Sequence, residues 1–363
     1  MQFSWPNIEW REEVMREGMQ IESTNISVAD KVALLNALSE TGLPTIVVGS
    51  FVSPKYTPQM AQIEKVLEAF TPLPNVKYTA LLVNERSYER AQAFSPPLTI
   101  NDSPPVLSAH LCDIFTRRNF NRSQETEFQS WPKIVATAKE QGAEQAEIRV
   151  AAAWGSNFIG EFTLSQRMDI LKREHELWTK AGIPVTTAGF LDPMGWCLPH
   201  RVEEQLAAIK EEWPDIRRFY LHLHNARGMA LPAAYAAMRI LDSSYTLEID
   251  GTVGGIGGCP YCGTGQATGM IATEDFFHML DGIGLETGVD VGKLIDCAWM
   301  LEDMIGRPVF GSTSKAGPRP TSPENWFDPN MPCVETMSQA KHFKLGPKAY
   351  EGGIYPWKEP IRL

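Results

Sequence analysis

The chain has 363 residues, of which 43% are hydrophobic, and a net charge of −11. Its length allows one large domain or two ordinary ones, and its acidity argues against nucleic acid as a partner, since phosphate binding needs a basic face. There is no apolar run of membrane-spanning length and no signal-peptide pattern, and the six cysteines are too scattered for a disulfide framework. We therefore expect a soluble cytoplasmic protein with no membrane partner.

Short apolar or β-branched runs alternate with longer segments of helical periodicity. Strands are predicted at 8–15, 44–50, 76–83, 105–112, 146–154, 183–190, 217–224 and 246–252. Helices are predicted between them, for example at 28–41, 126–141, 165–181, 200–212 and 229–241. The helix at 28–41 has Ser27 as its predicted N-cap, and Gly42 with Pro44 ends it.

Eight strands that alternate with helices imply parallel βα units, and eight such units close into a (β/α)8 TIM barrel of about this size. A doubly wound open sheet is the competing layout. It is disfavoured because no Gly-x-Gly-x-x-Gly follows the first strand, and the glycine-rich segment comes last. We predict an α/β barrel over residues 1–305.

The composition changes after residue 305. Residues 306–363 hold nine of the 26 prolines, together with the aromatic residues Trp326, Phe327, Tyr350, Tyr355 and Trp357. So many aromatic side chains indicate an ordered C-terminal arm that packs on the barrel or on a partner subunit, and a partly disordered extension is the alternative. We expect a homodimer or a higher homo-oligomer.

Polar residues cluster where four of the predicted strands end, which is where the functional groups of a (β/α)8 barrel gather. His222 and His224 are two residues apart on the seventh strand, so both imidazoles point to the same face. A His-x-His pair alone is more often a pair of core histidines. With Glu17 from the first strand, however, it forms a set that could hold a divalent ion and leave positions open for substrate. The four clusters are residues 15–20, 190–195, 221–225 and 248–252.

A glycine-rich segment, residues 254–269, follows the eighth strand and can arch over a ligand. It contains Cys259 and Cys262 in a C-x-x-C pattern. A zinc site would need a second Cys or His pair, and a redox motif would need a thioredoxin-like context. Since neither is present, we favour one cysteine acting as a proton carrier. A flexible loop with incidental thiols is the alternative.

Five sequence blocks, in order, resemble the 3-hydroxy-3-methylglutaryl-CoA lyase family of metal-dependent TIM-barrel lyases with a pyruvate carboxyltransferase-type domain. The resemblance runs from about residue 10 to residue 305. The blocks are Arg16-Glu17-Gly18-Met19-Gln20, residues 50–60, residues 115–119, His222-Leu223-His224-Asn225, and Gly257-Gly258-Cys259-Pro260-Tyr261 with residues 272–275.

The resemblance implies cleavage of a carbon–carbon bond in a 3-hydroxyacyl thioester by a retro-Claisen route. Glu17, His222 and His224 would bind a divalent cation, Mg²⁺ or Mn²⁺, which acts as a Lewis acid. The implied catalytic residues are Arg16 at the enolate oxygen, Asp192 near the hydroxyl that loses its proton, and Cys259 as the loop thiol that passes a proton.

The resemblance also makes a CoA thioester the substrate rather than a cofactor. Arg117 and Arg118 would then contact the phosphates of the CoA tail, although exposed arginines are more often simply solvated.

The chain departs from the family pattern at three site positions. Glu17 stands where the family has Asp, Val47 where it has an active-site Glu, and Met270 where it has an Asn metal ligand. We therefore predict a divergent carbon–carbon lyase that acts on a hydroxyacyl-CoA or a related hydroxy acid.

Two alternatives to this lyase stay open. One is a CoA-independent aldolase or Claisen-type synthase acting on a keto acid. The other is a catalytically impaired barrel that serves as a binding subunit, which Val47 and Met270 favour and which Arg16, Asp192 and Cys259 oppose.

Overall fold

Eight parallel strands form one sheet in the computed structural model, which describes residues 4–100, 103–263 and 269–362. The strands are β1 Asn7–Glu12, β2 Thr45–Ser50, β3 Lys77–Leu81, β4 Val106–His110, β5 Ala146–Ala151, β6 Val185–Asp192, β7 Arg218–Leu223 and β8 Thr246–Gly251. Their order is β3-β2-β1-β8-β7-β6-β5-β4, with β1 paired to β8 along six residues. This is the strand order of a (β/α)8 barrel, and the predicted fold is confirmed.

Helices alternate with the strands around the barrel. They are α1 Val28–Ser39, α2 Ile63–Ala69, α3 Glu85–Gln92, α4 Asp113–Phe120, α5 Gln124–Glu140, α6 Leu164–Ala181, α7 Pro199–Glu212, α8 Ala230–Ile240, α9 Thr273–Gly282 and α10 Val291–Ile305. A short antiparallel hairpin, Gly155–Ser156 with Gly160–Glu161, follows β5. As predicted, the Ser27 hydroxyl caps α1 by accepting a hydrogen bond from the Asp30 amide at 3.0 Å.

The strands bury an apolar face against the helices and a charged face inside the barrel. Phe219 and Leu247 belong to the apolar core and are fully buried. Inside the barrel, Arg11 of β1 lies beside Asp250 of β8 in the strand register, and its Nε is 3.0 Å from Asp250 Oδ1. The Arg11 guanidinium also lies over the ring of Tyr220, 5.1 Å from its centroid. The barrel interior is therefore filled by ion pairs that lead toward the carboxyl ends of the strands.

The first strand is shorter than predicted: it ends at Glu12, and the chain continues as a π-helical turn, Val14–Gly18. The buried carboxylate of Glu12 accepts hydrogen bonds from the backbone amides of Val14 and Val253, both at 2.9 Å. A carboxylate that accepts from the amide two residues further along the chain turns the backbone out of the strand direction. The turn brings Arg16 and Glu17 to the end of the barrel.

The segment after α10 contacts that helix. Lys344 donates a hydrogen bond to the Gly292 carbonyl at 2.8 Å and forms an ion pair with Asp296. The rings of Trp299 and Phe343 are 5.8 Å apart. The segment contains only short helical turns, so side-chain contacts of this kind fasten it to the barrel.

Candidate metal centre and active site

Glu17, His222 and His224 come together at the carboxyl end of the barrel, and all three are buried. The Nε2 atoms of the two histidines are 3.3 Å apart, and Glu17 Oε1 lies 3.6 Å from His224 Nε2. Each residue offers one ligand atom, and these atoms lie within 4.8 Å of one another. Two imidazoles and one carboxylate at this spacing fit a divalent cation with positions left open for other ligands.

Asp250 fixes the orientation of His222. Its Oδ2 is 2.7 Å from His222 Nδ1 and accepts a hydrogen bond from the Tyr220 hydroxyl at 2.6 Å. Burial alone would raise the pKa of Asp250. The charge of Arg11 and the hydrogen bonds from His222 and Tyr220 outweigh burial, and they hold the pKa of Asp250 well below its usual range. An ionised Asp250 keeps the proton on Nδ1, so His222 presents Nε2 as its ligand nitrogen.

Arg16 lies beside Glu17 and remains charged. Its Nε donates a hydrogen bond to Glu13 Oε2 at 2.6 Å, and its Nη1 donates one to Glu17. Burial would lower the pKa of Arg16, but the two carboxylates outweigh burial and raise it above its ordinary value. The site therefore holds a fixed positive charge next to the triad.

Asp192 ends β6, and its two carboxylate oxygens differ in environment. Its Oδ2 accepts a hydrogen bond from the Cys197 amide at 2.6 Å, whereas its Oδ1 is buried and has no hydrogen-bond partner among the residues that the structure describes. Burial raises the pKa of Asp192 above its usual value. The His224 amide donates to the Asp192 carbonyl at 3.2 Å, so the two residues are neighbours at the carboxyl end of the barrel.

The glycine-rich segment packs on the backbone of Glu17 in its described part, residues 254–263 and Gly269. Residues 264–268 of the predicted loop lie outside the described residues. Gly257 has a φ of +109°, and a Cβ there would lie 2.8 Å from the Glu17 carbonyl oxygen. Only glycine permits this approach. The next carbonyl, that of Gly258, accepts a hydrogen bond from Gln20 at 3.1 Å, and Cys259 follows.

The two loop cysteines differ in environment: Cys259 is half-buried and Cys262 is buried. The Cys262 thiol donates a hydrogen bond to the Pro193 carbonyl at 3.0 Å. A hydrogen bond with Cys259, together with burial, raises the pKa of Cys262 well above its ordinary value. Of the two thiols, Cys259 is therefore the one with access to a bound molecule.

The remaining predicted positions lie around this site. Met270 is fully buried, and its backbone pairs with that of His224; Val47 is buried on β2. Arg117 is exposed and pairs with Asp113 at 2.6 Å. Arg118 donates a hydrogen bond to the Tyr261 carbonyl at 2.9 Å, so it contacts the glycine-rich segment.

Sequence reasoning missed the partners of the predicted residues. The role of Asp250 toward His222 had a signal, because Asp250 stands in one of the polar clusters at strand ends. Glu13, which holds Arg16, had none: it follows a strand like any loop carboxylate. Asn157 and Arg227, which join several loops near the site, also had no signal, because the loops that they join are far apart in the sequence.

No helix in the described part of the chain has both the length and the apolar character that a membrane crossing requires.

A parallel barrel that gathers two imidazoles and a carboxylate at its strand ends is a metal-binding TIM barrel. The HMGL-like family model matches residues 7–301, and the chain belongs to this family.

Named relatives agree with this assignment. The mitochondrial hydroxymethylglutaryl-CoA lyase of Gallus gallus is 30% identical over 306 residues, which cover 84% of this chain and 95% of the relative. The (R)-citramalyl-CoA lyase of Chloroflexus aurantiacus is 32% identical over 313 residues, covering 84% of this chain and 92% of the relative. The crystal structure of hydroxymethylglutaryl-CoA lyase from Pseudomonas aeruginosa, 28% identical, superposes with a TM-score of 0.69 and covers 87% of this chain and 98% of that one. The prediction of a metal-dependent carbon–carbon lyase of HMGL-like type is confirmed.

Proposed function

We propose that this protein cleaves a 3-hydroxyacyl-CoA thioester into a carbonyl compound and a shorter acyl-CoA. The observation that carries the proposal is made at Asp192, at the end of the strand that pairs with the strand of His222: its Oδ1 is buried and has no hydrogen-bond partner among the described residues. A buried carboxylate with a free acceptor is suited to take a proton from a bound hydroxyl group. The names of the relatives, both lyases of hydroxyacyl-CoA thioesters, support this substrate class.

Glu17, His222 and His224 would hold the divalent cation, with Mg²⁺ or Mn²⁺ as the proposed metal. When bound, the cation supplies Lewis acidity toward substrate oxygens. Carboxylate oxygen is a preferred ligand of both ions, and imidazole binds Mn²⁺ readily. Met270 contributes no hard ligand, since a thioether is a poor donor for either ion.

The protein's own side chains account for the bond changes. Asp192 Oδ1 takes the proton of the 3-hydroxyl group, the O–H electron pair becomes the second bond of a carbonyl group, and the bond between C2 and C3 breaks. The released electron pair forms the enolate of the shorter acyl-CoA, whose oxygen accepts hydrogen bonds from Arg16. Cys259 then donates its thiol proton to C2. Asp192 returns its proton to solvent and Cys259 regains one, so both residues are restored.

Arg117 and Arg118 are the proposed contacts for the CoA phosphates. Arg118 is already placed by the Tyr261 carbonyl and by the ring of Phe158, whose centroid is 5.1 Å away. Arg117 is largely exposed, and a phosphate would compete with Asp113 for it.

The test is cleavage of a panel of 3-hydroxyacyl-CoA thioesters, including hydroxymethylglutaryl-CoA and citramalyl-CoA, by protein loaded with Mg²⁺ or Mn²⁺. We expect at least one thioester to yield a shorter acyl-CoA and a carbonyl product, identified by mass spectrometry. Replacing Cys259 by Ser should lower kcat about 100-fold, as expected for loss of a positioned acid. Cys333→Ser, which changes the other half-buried thiol, is the control and should leave kcat unchanged. Absence of cleavage for every panel member would refute the proposal.

A CoA-independent aldolase remains the rival enzyme. CoA itself discriminates between the two, because a ligand that binds only the folded state stabilises it by about 2.7 kcal/mol at 100 times its Kd. We expect saturating CoA to raise the Tm. An unchanged Tm, with cleavage of a free keto acid, would favour the aldolase.

We also infer that residues 1–305 form the catalytic barrel and that residues 306–363 form an arm that covers a partner subunit. Helix α10 ends at Ile305, where the first unit would end. Large apolar side chains of the arm are more than half exposed in the single chain, and a partner subunit would bury them. They are Phe310, Trp326, Met337, Leu345, Ile354 and Tyr355.

A further inference from the structure

Asn157, in the hairpin after β5, connects three other loops at the carboxyl end of the barrel. Its Nδ2 donates a hydrogen bond to the Cys262 carbonyl at 3.0 Å. Its Oδ1 accepts one from Trp196 Nε1 at 2.9 Å and one from Arg227 Nη2 at 3.1 Å. The side-chain amide therefore uses a donor and both acceptor positions at once.

The groups that hold Asn157 are themselves fixed. Arg227 also donates to the carbonyls of Met194 and Gly195, at 2.8 and 3.1 Å. The Trp196 ring lies against Gly155, where a Cβ would come within 2.5 Å of it. Trp196 and Arg227 both donate to Asn157 Oδ1, and this fixes the orientation of the side-chain amide. The Nδ2 donor is therefore directed at the Cys262 carbonyl.

The glycine-rich segment is thus attached on both sides of Cys259. Before it, the side chain of Gln20, which lies just after the π-helical turn Val14–Gly18, donates to the Gly258 carbonyl. After it, Arg118 binds the Tyr261 carbonyl and Asn157 binds that of Cys262. Cys259 stands on a short span between these attachments, two residues after Gly257, which packs against the Glu17 backbone.

We propose that Asn157 is a positioning residue that holds the stretch 258–262 in place and thereby sets the position of the Cys259 thiol. The proposal rests on the proposed function for its effect on turnover, but its effect on the loop is independent of any reaction. Asn157 acts through the backbone of Cys262 and contacts neither the triad nor Asp192 in the described structure.

Asn157→Asp is the most specific variant, because it keeps the shape of the side chain and the oxygen that accepts from Trp196 and Arg227. A carboxylate cannot donate to the Cys262 carbonyl and repels it. Asn75→Asp makes the same chemical change at an exposed position before β3, at the opposite end of the barrel, and is the matched control.

The primary readout is the labelling rate of Cys259 by a thiol reagent, followed by peptide mass spectrometry in a Cys333→Ser background. Loss of one buried hydrogen bond predicts labelling about tenfold faster in Asn157→Asp. We expect Asn75→Asp to label like the parent. A labelling rate equal to the parent's in Asn157→Asp would overturn the proposal, whether or not the protein cleaves a thioester.

The second readout is turnover of the thioester that the parent cleaves. A displaced thiol predicts that Asn157→Asp lowers kcat about tenfold with little change in KM. A rise in KM at constant kcat would instead make Asn157 a substrate contact and overturn the positioning role. If Asn157→Asp does not fold, Trp196→Phe keeps a ring against Gly155, removes one donor to Asn157, and should change labelling and kcat in the same directions.

Discussion

The orientation of His222 is set by Asp250, which is not one of the three candidate metal ligands. Asp250 accepts from His222 Nδ1 at 2.7 Å, and Asp250 is itself held by Tyr220 and Arg11. Residues that orient metal-binding imidazoles in this way usually contribute substantially to metal affinity. The affinity of the site therefore depends on the charged interior of the barrel as well as on the triad.

Replacing Asp250 by Asn tests this dependence. The variant loses the anionic acceptor of the His222 proton, so we expect Mn²⁺ affinity to fall 10- to 100-fold, measured by isothermal titration calorimetry. Glu248→Gln is the control, because Glu248 lies on the same strand and pairs with Arg11 at 2.9 Å without touching either histidine. Wild-type Mn²⁺ affinity in Asp250→Asn would contradict this role.

The sequence predicted the candidate site residues better than the residues that hydrogen-bond to them. Strand periodicity alone predicts that His222 and His224 share a face. Glu17 was assigned to the same site because it stands at the end of the first predicted strand, in a block that resembles the family. Arg11 and Tyr220 could not be assigned, because barrel strands are buried on both faces and their sequence does not show which face is interior. The roles of Arg16, Asp192, Cys259, Arg117 and Arg118 stay predictions.

At the scale of elements, one buried carboxyl joins β1 to its neighbours. Glu12 accepts from the amides of Val14 and Val253 and from the hydroxyl of Thr273, at the start of α9. Burial raises the pKa of Glu12 to about 7, although these hydrogen bonds oppose the shift. The π-helical turn after β1, the residue that precedes the glycine-rich segment, and the start of α9 are thus bound to one titratable group.

Glu12 gives the stability of the fold a defined pH dependence. A carboxyl group with a raised pKa binds its proton more tightly in the folded state, so its contribution is complete below about pH 4.5 and is lost as the pH rises through 7. For a pKa of about 7 the loss is roughly 3 kcal/mol. We expect Glu12→Gln to reduce the change in the free energy of unfolding between pH 5 and pH 8, measured by urea denaturation.

Glu68→Gln changes an exposed side chain on α2 and should give a curve parallel to the wild type. If the free energy of unfolding of Glu12→Gln depended on pH as that of the wild type does, Glu12 would not be the group that causes the pH dependence.

The elements themselves were predictable. The predicted helix at 165–181 is observed as α6, Leu164–Ala181, and the predicted helix at 200–212 as α7, Pro199–Glu212. Both have clear helical periodicity and clear terminal signals. The π-helical turn Val14–Gly18 could not be predicted, because it depends on Glu12 binding the amide of Val253, more than 200 residues away.

At the scale of the whole molecule, the segment after α10 is linked to the active-site loop. The amides of Phe310 and Gly311 donate to the Gly254 carbonyl at 2.8 and 3.1 Å. Thr313 donates to Asp275 of α9 at 2.6 Å. The first residues of the arm thus support the base of the glycine-rich segment, whereas the rest of the arm lies against α10 or is exposed.

Two deletions separate these contributions. Removing residues 318–363 should reduce the oligomer mass, measured by light scattering, and keep kcat within about twofold. Removing residues 311–363 should also lower kcat about tenfold, because the Gly254 carbonyl then loses the Gly311 amide. If the longer deletion left both mass and kcat unchanged, the proposed arm would be wrong.

The central claim is that the barrel breaks a carbon–carbon bond and protonates the resulting enolate. The most direct test is cleavage of the best thioester in D₂O, with mass analysis of the acyl-CoA product. We predict one deuterium at C2 of the product for each turnover, since the Cys259 thiol exchanges with solvent before it donates. An acyl-CoA product without deuterium would contradict the account.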